Sequence, residues 1–436
     1  MAHQHRLLSA WSQSGRGRAL IFVALHPASL LLLLALAFAA SGAQVVAGQD
    51  VSLYHSYSAQ ILSGRVPYRD FPLEYPPLAL VPMLLPHVFA FGRPLGELAY
   101  AWVFSVQNVL LSCALLLLVL ATARRALPGR LAGSIAAAYA ECALLLSPLL
   151  FWRIDVFPSV LAFGAVHAVL GDSRAHSASQ PWIAGGLLGL GTAAKLYPAI
   201  FLPVLGLYFV SQGRPRAAVS LGLAWTVALG SAWLPFALAA PHQLLGSFTY
   251  HHARGIQLDS VPSSGLLALS LLGLVPLHTA YHHGAWHLST SIASSVLKAS
   301  SMLLLTALVT VLVATALRLR VERRQGRPIP PELVVSGLTL VLISVLLFSN
   351  VLSPQYLLWL LPFCVLLPAR AARMFLVICL LTVLLFLDSV YQQLVQLKPL
   401  PILLLTARNA ALAALFGWLL VSTWTPRPES LPPREP

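Results

Sequence analysis

Charge is what this 436-residue chain has least of. Asp, Glu, Lys and Arg together make up 9% of it and only 13 residues are acidic, while 58% are hydrophobic. A soluble domain needs about 25–35% charged residues on its surface, so a soluble enzyme or a nucleic-acid-binding module is excluded. The chain also lacks any polar block of domain size between Ala19 and Leu420. At about 20 apolar residues per crossing, it reads as one all-α, polytopic membrane domain over residues 1–436 with about 12 transmembrane helices. Cysteine is equally sparse. Cys113, Cys142, Cys364 and Cys379 all fall inside apolar runs and none forms a CxxC pair, which points to packing rather than disulfides or thiolate metal sites. No internal repeat or inverted duplication is visible, and repeats are a common mark of transporters.

The net charge of +14 comes from short basic clusters between apolar runs, where the positive-inside rule places them, and it is read as topology. Arg6, Arg16 and Arg18 precede the run 19–40, which is long enough to act as a retained signal-anchor. Residues 1–18 are then cytoplasmic and 41–77 form a first extracytoplasmic loop. The apolar pieces 78–91 and 265–277 are short and are read as re-entrant or interfacial. Crossings near 98–122, 131–150, 156–170, 181–196, 197–211, 217–239, 293–317, 333–350, 355–369, 374–390 and 402–420 then put most of the 27 lysines and arginines inside. Residues 240–292 become a second large outer region, and the Pro-rich tail 421–436 is cytoplasmic. Most of the acidic and aromatic chemistry collects outside.

The first outer loop is the richest segment. Val51, Tyr54, Ser58, Ile61 and Leu62 follow helical spacing, which predicts an interfacial helix over 51–63 ended by Gly64. Asp50 suits the N-cap of that helix. An aspartate at the membrane surface also suits a base that takes a proton from an acceptor hydroxyl, and the two roles are compatible. The stretch Pro67-Tyr68-Arg69-Asp70-Phe71-Pro72-Leu73-Glu74-Tyr75-Pro76-Pro77 is stiffened by prolines and interleaves rings with charges, as sugar recognition does. Arg153, Asp155, Lys195 and Arg254 are isolated charges at or near bilayer depth, where each costs at least about 2.5 kcal/mol. The three cations suit a phosphate or pyrophosphate. The plainer alternative pairs Arg153 with Asp155 and lets Lys195 snorkel. The histidines of the second outer region lack acidic partners at ligand spacing, so no metal site is expected. The proline-kinked turn 349–356 is expected to line the same cavity.

These motifs, in this order, resemble the integral-membrane GT-C glycosyltransferases, and within them family 87, the polyprenyl-phosphate-mannose-dependent mannosyltransferases. The resemblance rests on Asp50 after the first span, Gly64-Arg65-Val66-Pro67-Tyr68, Tyr75-Pro76-Pro77-Leu78, Lys195-Leu196-Tyr197-Pro198, the segment from Tyr250 to Ser260 with Arg254-Gly255-Ile256-Gln257, and Ser353-Pro354-Gln355-Tyr356-Leu357-Leu358-Trp359. It implies a GT-C-like bundle that moves a hexose, often mannose, with inversion, from a polyprenyl-phosphate donor to an extracytoplasmic glycolipid or glycan acceptor, at the cell membrane and without a cofactor. Asp50 matches the family's base. Lys195, Arg254 and Arg153 are the expected donor-phosphate contacts, with Tyr54, Tyr68, Glu74, Tyr75, His251, Gln257, Gln355 and Tyr356 as substrate contacts. One departure stands out. Many GT-C enzymes carry an acidic pair in the first loop, whereas Val51 follows Asp50 here, which argues against a metal-bridged donor. The rival class is a transporter or lipid flippase, which would also place charges around a cavity.

Overall fold

The computed structural model describes residues 15–41, 50–171, 177–243 and 254–424, so Tyr250 and His251 lie outside the described residues. Helices dominate. Among the described residues six are long and apolar enough to cross a bilayer: α1 (Gly15–Ser41), α4 (Glu97–Ala126), α10 (Pro215–Ala239), α12 (Ala293–Arg324), α13 (Pro331–Phe348) and α17 (Pro399–Trp424). A seventh crossing would join α15 (Ala369–Leu385) and α16 (Asp388–Val395), which meet at a 77° bend. Helix length therefore supports six or seven crossings rather than the expected 12.

The five other expected crossings are short or broken. They are α5 (Ala132–Leu145) followed by α6 (Ser147–Trp152), α7 (Val156–Leu170), α8 (Gln180–Ala194), a 3₁₀ turn Tyr197–Ile200 leading into α9 (Phe201–Ser211), and a turn Pro354–Tyr356 leading into α14 (Leu357–Cys364). At 1.5 Å per residue a 15-residue helix is about 22 Å long, short of a core about 30 Å thick. Pro148, Pro198 and Pro354 each sit in the first turn after a break, where a missing N–H costs nothing. The expected re-entrant pieces are also short: a turn Pro77–Ala79 with α3 (Leu80–Phe89), and α11 (Val261–Leu271).

The surface helix α2 runs Asp50–Leu62 and is followed by Gly64 at φ +89°. Between α10 and α12 a small antiparallel sheet interrupts the all-α pattern, with β1 (Ile256–Gln257), β3 (Ala285–Ser289) and β2 (His278–His282) in that spatial order. His283 and Gly284, both at positive φ, make the two-residue turn that right-handed strand twist favours.

Two contacts orient the bundle. Arg125, near the end of α4, donates to the carbonyl of Gly171 just past α7 (2.5 Å), and Arg323, near the end of α12, donates to Val210 near the end of α9 (3.2 Å). The arginine-rich ends thus gather at the C-terminal ends of α7 and α9. The opposite ends of those helices carry Asp155 and Tyr197. Helices α8 and α10 cross closely through Gly185 and Gly189, where an added Cβ would lie 2.2 Å from the Leu221 carbonyl oxygen and 2.5 Å from that of Trp225. Small residues four apart allow backbones this near in lipid.

Candidate functional site

Three chain breaks meet at one end of the bundle. The break between α6 and α7 presents Arg153 and Asp155, the break after α8 presents Lys195, and the turn after α13 presents Tyr356 and then Trp359. Non-helical backbone inside a membrane protein needs partners from its own fold. Here Asn108 of α4 supplies them, its side-chain amide donating to the carbonyls of Leu150 and Arg153 (both 2.9 Å).

Two ion pairs form at this junction. Arg153 pairs with Asp50, the first residue of α2, and both side chains are partly exposed. Asp155 is fully buried, and its Oδ1 accepts from Lys195 Nζ (2.6 Å) and from the Trp359 indole N–H (2.7 Å). The simple pairing of Arg153 with Asp155 is therefore not what the fold makes. The peptide between them lies in the turn, and each side chain finds its partner on another element. Lys195 does not snorkel; its ammonium is held by Asp155 and lies 5.4 Å and 5.3 Å from the ring centroids of Tyr356 and Trp359. Trp359 is itself sandwiched. Tyr197 stacks on it at 4.1 Å between centroids and Tyr356 at 4.0 Å.

Tyr54, one turn after Asp50, is buried and points its hydroxyl toward Asp50 Oδ2 (3.5 Å) and the Tyr75 hydroxyl (3.4 Å). Burial first, then Tyr75 and Asp155 nearby, raise the Tyr54 phenol well above its ordinary value, so it stays a proton donor. Burial raises the Tyr75 phenol as well. Glu74 is half-buried in the same loop.

Other expected site residues make contacts within the fold. Tyr68 is buried at φ +65° and donates to the Tyr75 carbonyl (2.6 Å), with its ring edge-on to Phe236. Asp70 is tied to Arg69, which together with the Val66 N–H draws its carboxyl down to about 2. Gln257 is buried in β1 and its amide donates to Asp259 Oδ2 (3.2 Å). Gln355 is half-buried in the turn before Tyr356. Arg254 lies just before β1 and donates to the His283 carbonyl (3.1 Å), beside His282 and His287, whose rings stack at 3.9 Å. Burial and His282 pull His287 down to about 4. The Arg254 segment is linked to the junction through Asn350, whose amide donates to the carbonyls of Arg254 (2.9 Å) and Gly255 (3.0 Å) in the turn that leads to Tyr356. Among the described residues no three His, Cys, Asp or Glu side chains converge as ligands for a metal.

Residues 73–349 match the model of glycosyltransferase family 87. The chain belongs to glycosyltransferase family 87. A polyprenol-phosphate-mannose-dependent alpha-(1-2)-phosphatidylinositol mannoside mannosyltransferase of Mycobacterium tuberculosis is 29% identical over 227 residues, which cover 50% of this chain and 44% of that protein. The match thus reaches less than half the length of the curated relative. Among solved structures, the archaeal oligosaccharyltransferase AglB from Archaeoglobus fulgidus, in complex with an inhibitory peptide and a dolichol-phosphate, aligns over 92% of this chain and 56% of its own, at 13% identity and a TM-score of 0.39.

The family 87 region contains Arg153, Asp155, Lys195 and Arg254 but not Asp50 or Trp359. The junction joins all but Arg254 through side-chain bonds or the break itself, and Arg254 through the backbone at Asn350. The sequence alone marks Asp155 as an isolated charge and a local partner for Arg153, without a site role, and marks Trp359 only within a motif. A signal for Asp155 was available, because a lone buried carboxylate demands a cation and Lys195 is a cation with the same problem.

Proposed function

We propose that this family 87 chain is a membrane hexosyltransferase that moves mannose from a polyprenyl-phosphate donor to a hydroxyl of an extracytoplasmic glycolipid or glycan, with inversion and with Asp50 as general base. The observation that carries the proposal is Asp50 itself. It sits at the start of a surface helix, partly exposed, paired to Arg153 and beside Tyr54, at the end of the bundle opposite the arginine-rich ends. By the positive-inside rule those ends face the cytoplasm and the junction faces outward.

In the proposed reaction the acceptor oxygen attacks the anomeric carbon as the bond to the donor phosphate oxygen breaks. Asp50 takes the acceptor proton and polyprenyl phosphate leaves. Attack opposite the leaving group inverts the carbon. Arg153 pairs with Asp50 and aims its carboxylate. Lys195 carries three donors, of which Asp155 uses one, so phosphate can share the ammonium without breaking the pair. Arg254 approaches from the β1 side, and Tyr356, the half-buried ring that stacks on Trp359, is of the kind sugars rest on.

The test uses membranes containing wild-type or Asp50→Asn protein, radiolabelled polyprenyl-phosphate-mannose and candidate acceptors. Wild type transfers label, and the variant loses about 10²-fold or more. Equal transfer by both removes Asp50 as the base. Transfer only from a different polyprenyl-phosphate sugar corrects the sugar, and no transfer from any of them moves the weight to a transporter or flippase.

A further inference from the structure

At the arginine-rich end, away from the junction, an apolar groove of about 490 Å³ opens between α9 and α12. Pro203, Gly206, Leu207 and Val210 form one wall and Leu312, Val313 and Ala316 the other. Several neighbours face outward, including Val210, Val309, Val313 and Leu317. Lipid is therefore the surrounding medium.

The groove has a charged mouth. Steps of four and seven from Ala316 along α12 reach Arg320 and Arg323, so these arginines continue the face that lines it. On the other wall, four residues past Val210 comes Arg214, and Arg323 bridges the two walls by donating to the Val210 carbonyl while lying against Gly213. Arg320 and Arg323 are both exposed. From Leu312 to Arg323 the helix rises about 16 Å, close to half of a hydrocarbon core about 30 Å thick. That is the depth one acyl chain occupies in one leaflet.

We infer that this groove is a binding site for a glycerophospholipid of anionic headgroup, its tail lying between α9 and α12 and its phosphate held by Arg320 and Arg323. Scattered basic loops would satisfy topology alone. What sets this place apart is that the arginines stand in register with an apolar trough between two helices, the arrangement by which basic pockets between helices select anionic lipid. The trough is open over Gly206, where a Cβ would meet no atom within 4 Å.

The test is native mass spectrometry of the full chain, purified in detergent and offered phosphatidylglycerol or phosphatidylcholine of matched chains. Wild type retains one phosphatidylglycerol and prefers it over phosphatidylcholine by about fivefold for each arginine engaged. Arg320→Gln with Arg323→Gln abolishes the preference, and Gly206→Leu lowers retention of the bound copy. Gly206→Ala, whose methyl meets open space, binds as wild type and reports on folding. Equal retention of the two lipids by wild type overturns the proposal. So does unchanged retention in the double arginine variant, which decides the matter even if Gly206→Leu does not fold.

Discussion

Lys195 Nζ lies 2.6 Å from Asp155 Oδ1, and the carboxylate that receives it has no exposure to solvent. Taken out of water, each charge relies on the other, and removal of one partner from such a pair costs about 3–5 kcal/mol. Lys195→Met is therefore expected to lower the unfolding midpoint in detergent sharply. The double change Asp155→Asn, Lys195→Met should recover most of that loss while remaining inactive in the transfer assay. Thermal unfolding of the three proteins, run beside transfer, checks both halves.

Arg153 and Asp50 form the second pair, at a wetter place. Here the loss should be functional more than structural. Arg153→Gln is expected to cut transfer at least about tenfold with a small change in midpoint, since partly exposed pairs add little stability. Arg153→Lys should restore some activity but not all, because lysine lacks the fixed planar fork. Rates at saturating donor, measured alongside unfolding curves, separate these outcomes.

The close crossing of α8 and α10 gives a prediction remote from the chemistry. Gly189→Ala places a methyl 2.5 Å from the Trp225 carbonyl oxygen, so the helices must part. Overpacking of this kind costs about 1–3 kcal/mol. Lys195 follows directly after the last residue of α8, so transfer should fall together with the midpoint. Gly186→Ala, where a Cβ meets nothing within 4 Å, should leave both near wild type.

Asp259 makes stability depend on pH. Burial pushes its carboxyl up to about 6 from the usual 3.8, although Arg408, Gln257 and Tyr391 pull the other way. Between those values the folded chain keeps a proton that the unfolded chain has released, so this group's contribution to stability falls as pH rises through the window and levels off above about 6. Asp259→Asn should flatten the difference in unfolding midpoint between pH 4.5 and 7.5, and the wild-type-minus-variant curve isolates the effect.

Much of this was legible in the chain, and the misses share a cause. Helix α2 and its end at Gly64 follow from local spacing and a glycine at positive φ. The two short segments after residues 77 and 261 follow from apolar length. What local reading lacks is partner identity. Two residues apart, Arg153 and Asp155 look like a pair, yet each is claimed by an element far along the chain. Arg408 sits inside an apolar run, and only the fold shows that it is fully buried on α17 and donates to the Asp259 carbonyl (2.8 Å). The number of full-length helices falls short of the expected crossings for a related reason. Prolines placed to build the junction also shorten the helices, and a hydropathy run is blind to where a helix stops.

The distances along the chain between partners also order the molecule's birth. Asp155 and Lys195 stand 40 residues apart, on consecutive helices, while Trp359 reaches Asp155 across 204. During synthesis the α7 and α8 hairpin can enter the bilayer with its two opposite charges already matched, long before the tryptophan exists. The indole closes the junction only after α13 has been laid down. Nascent chains truncated before residue 359 would thus hold the matched pair without its indole, with the junction completed as one of the last acts of biogenesis.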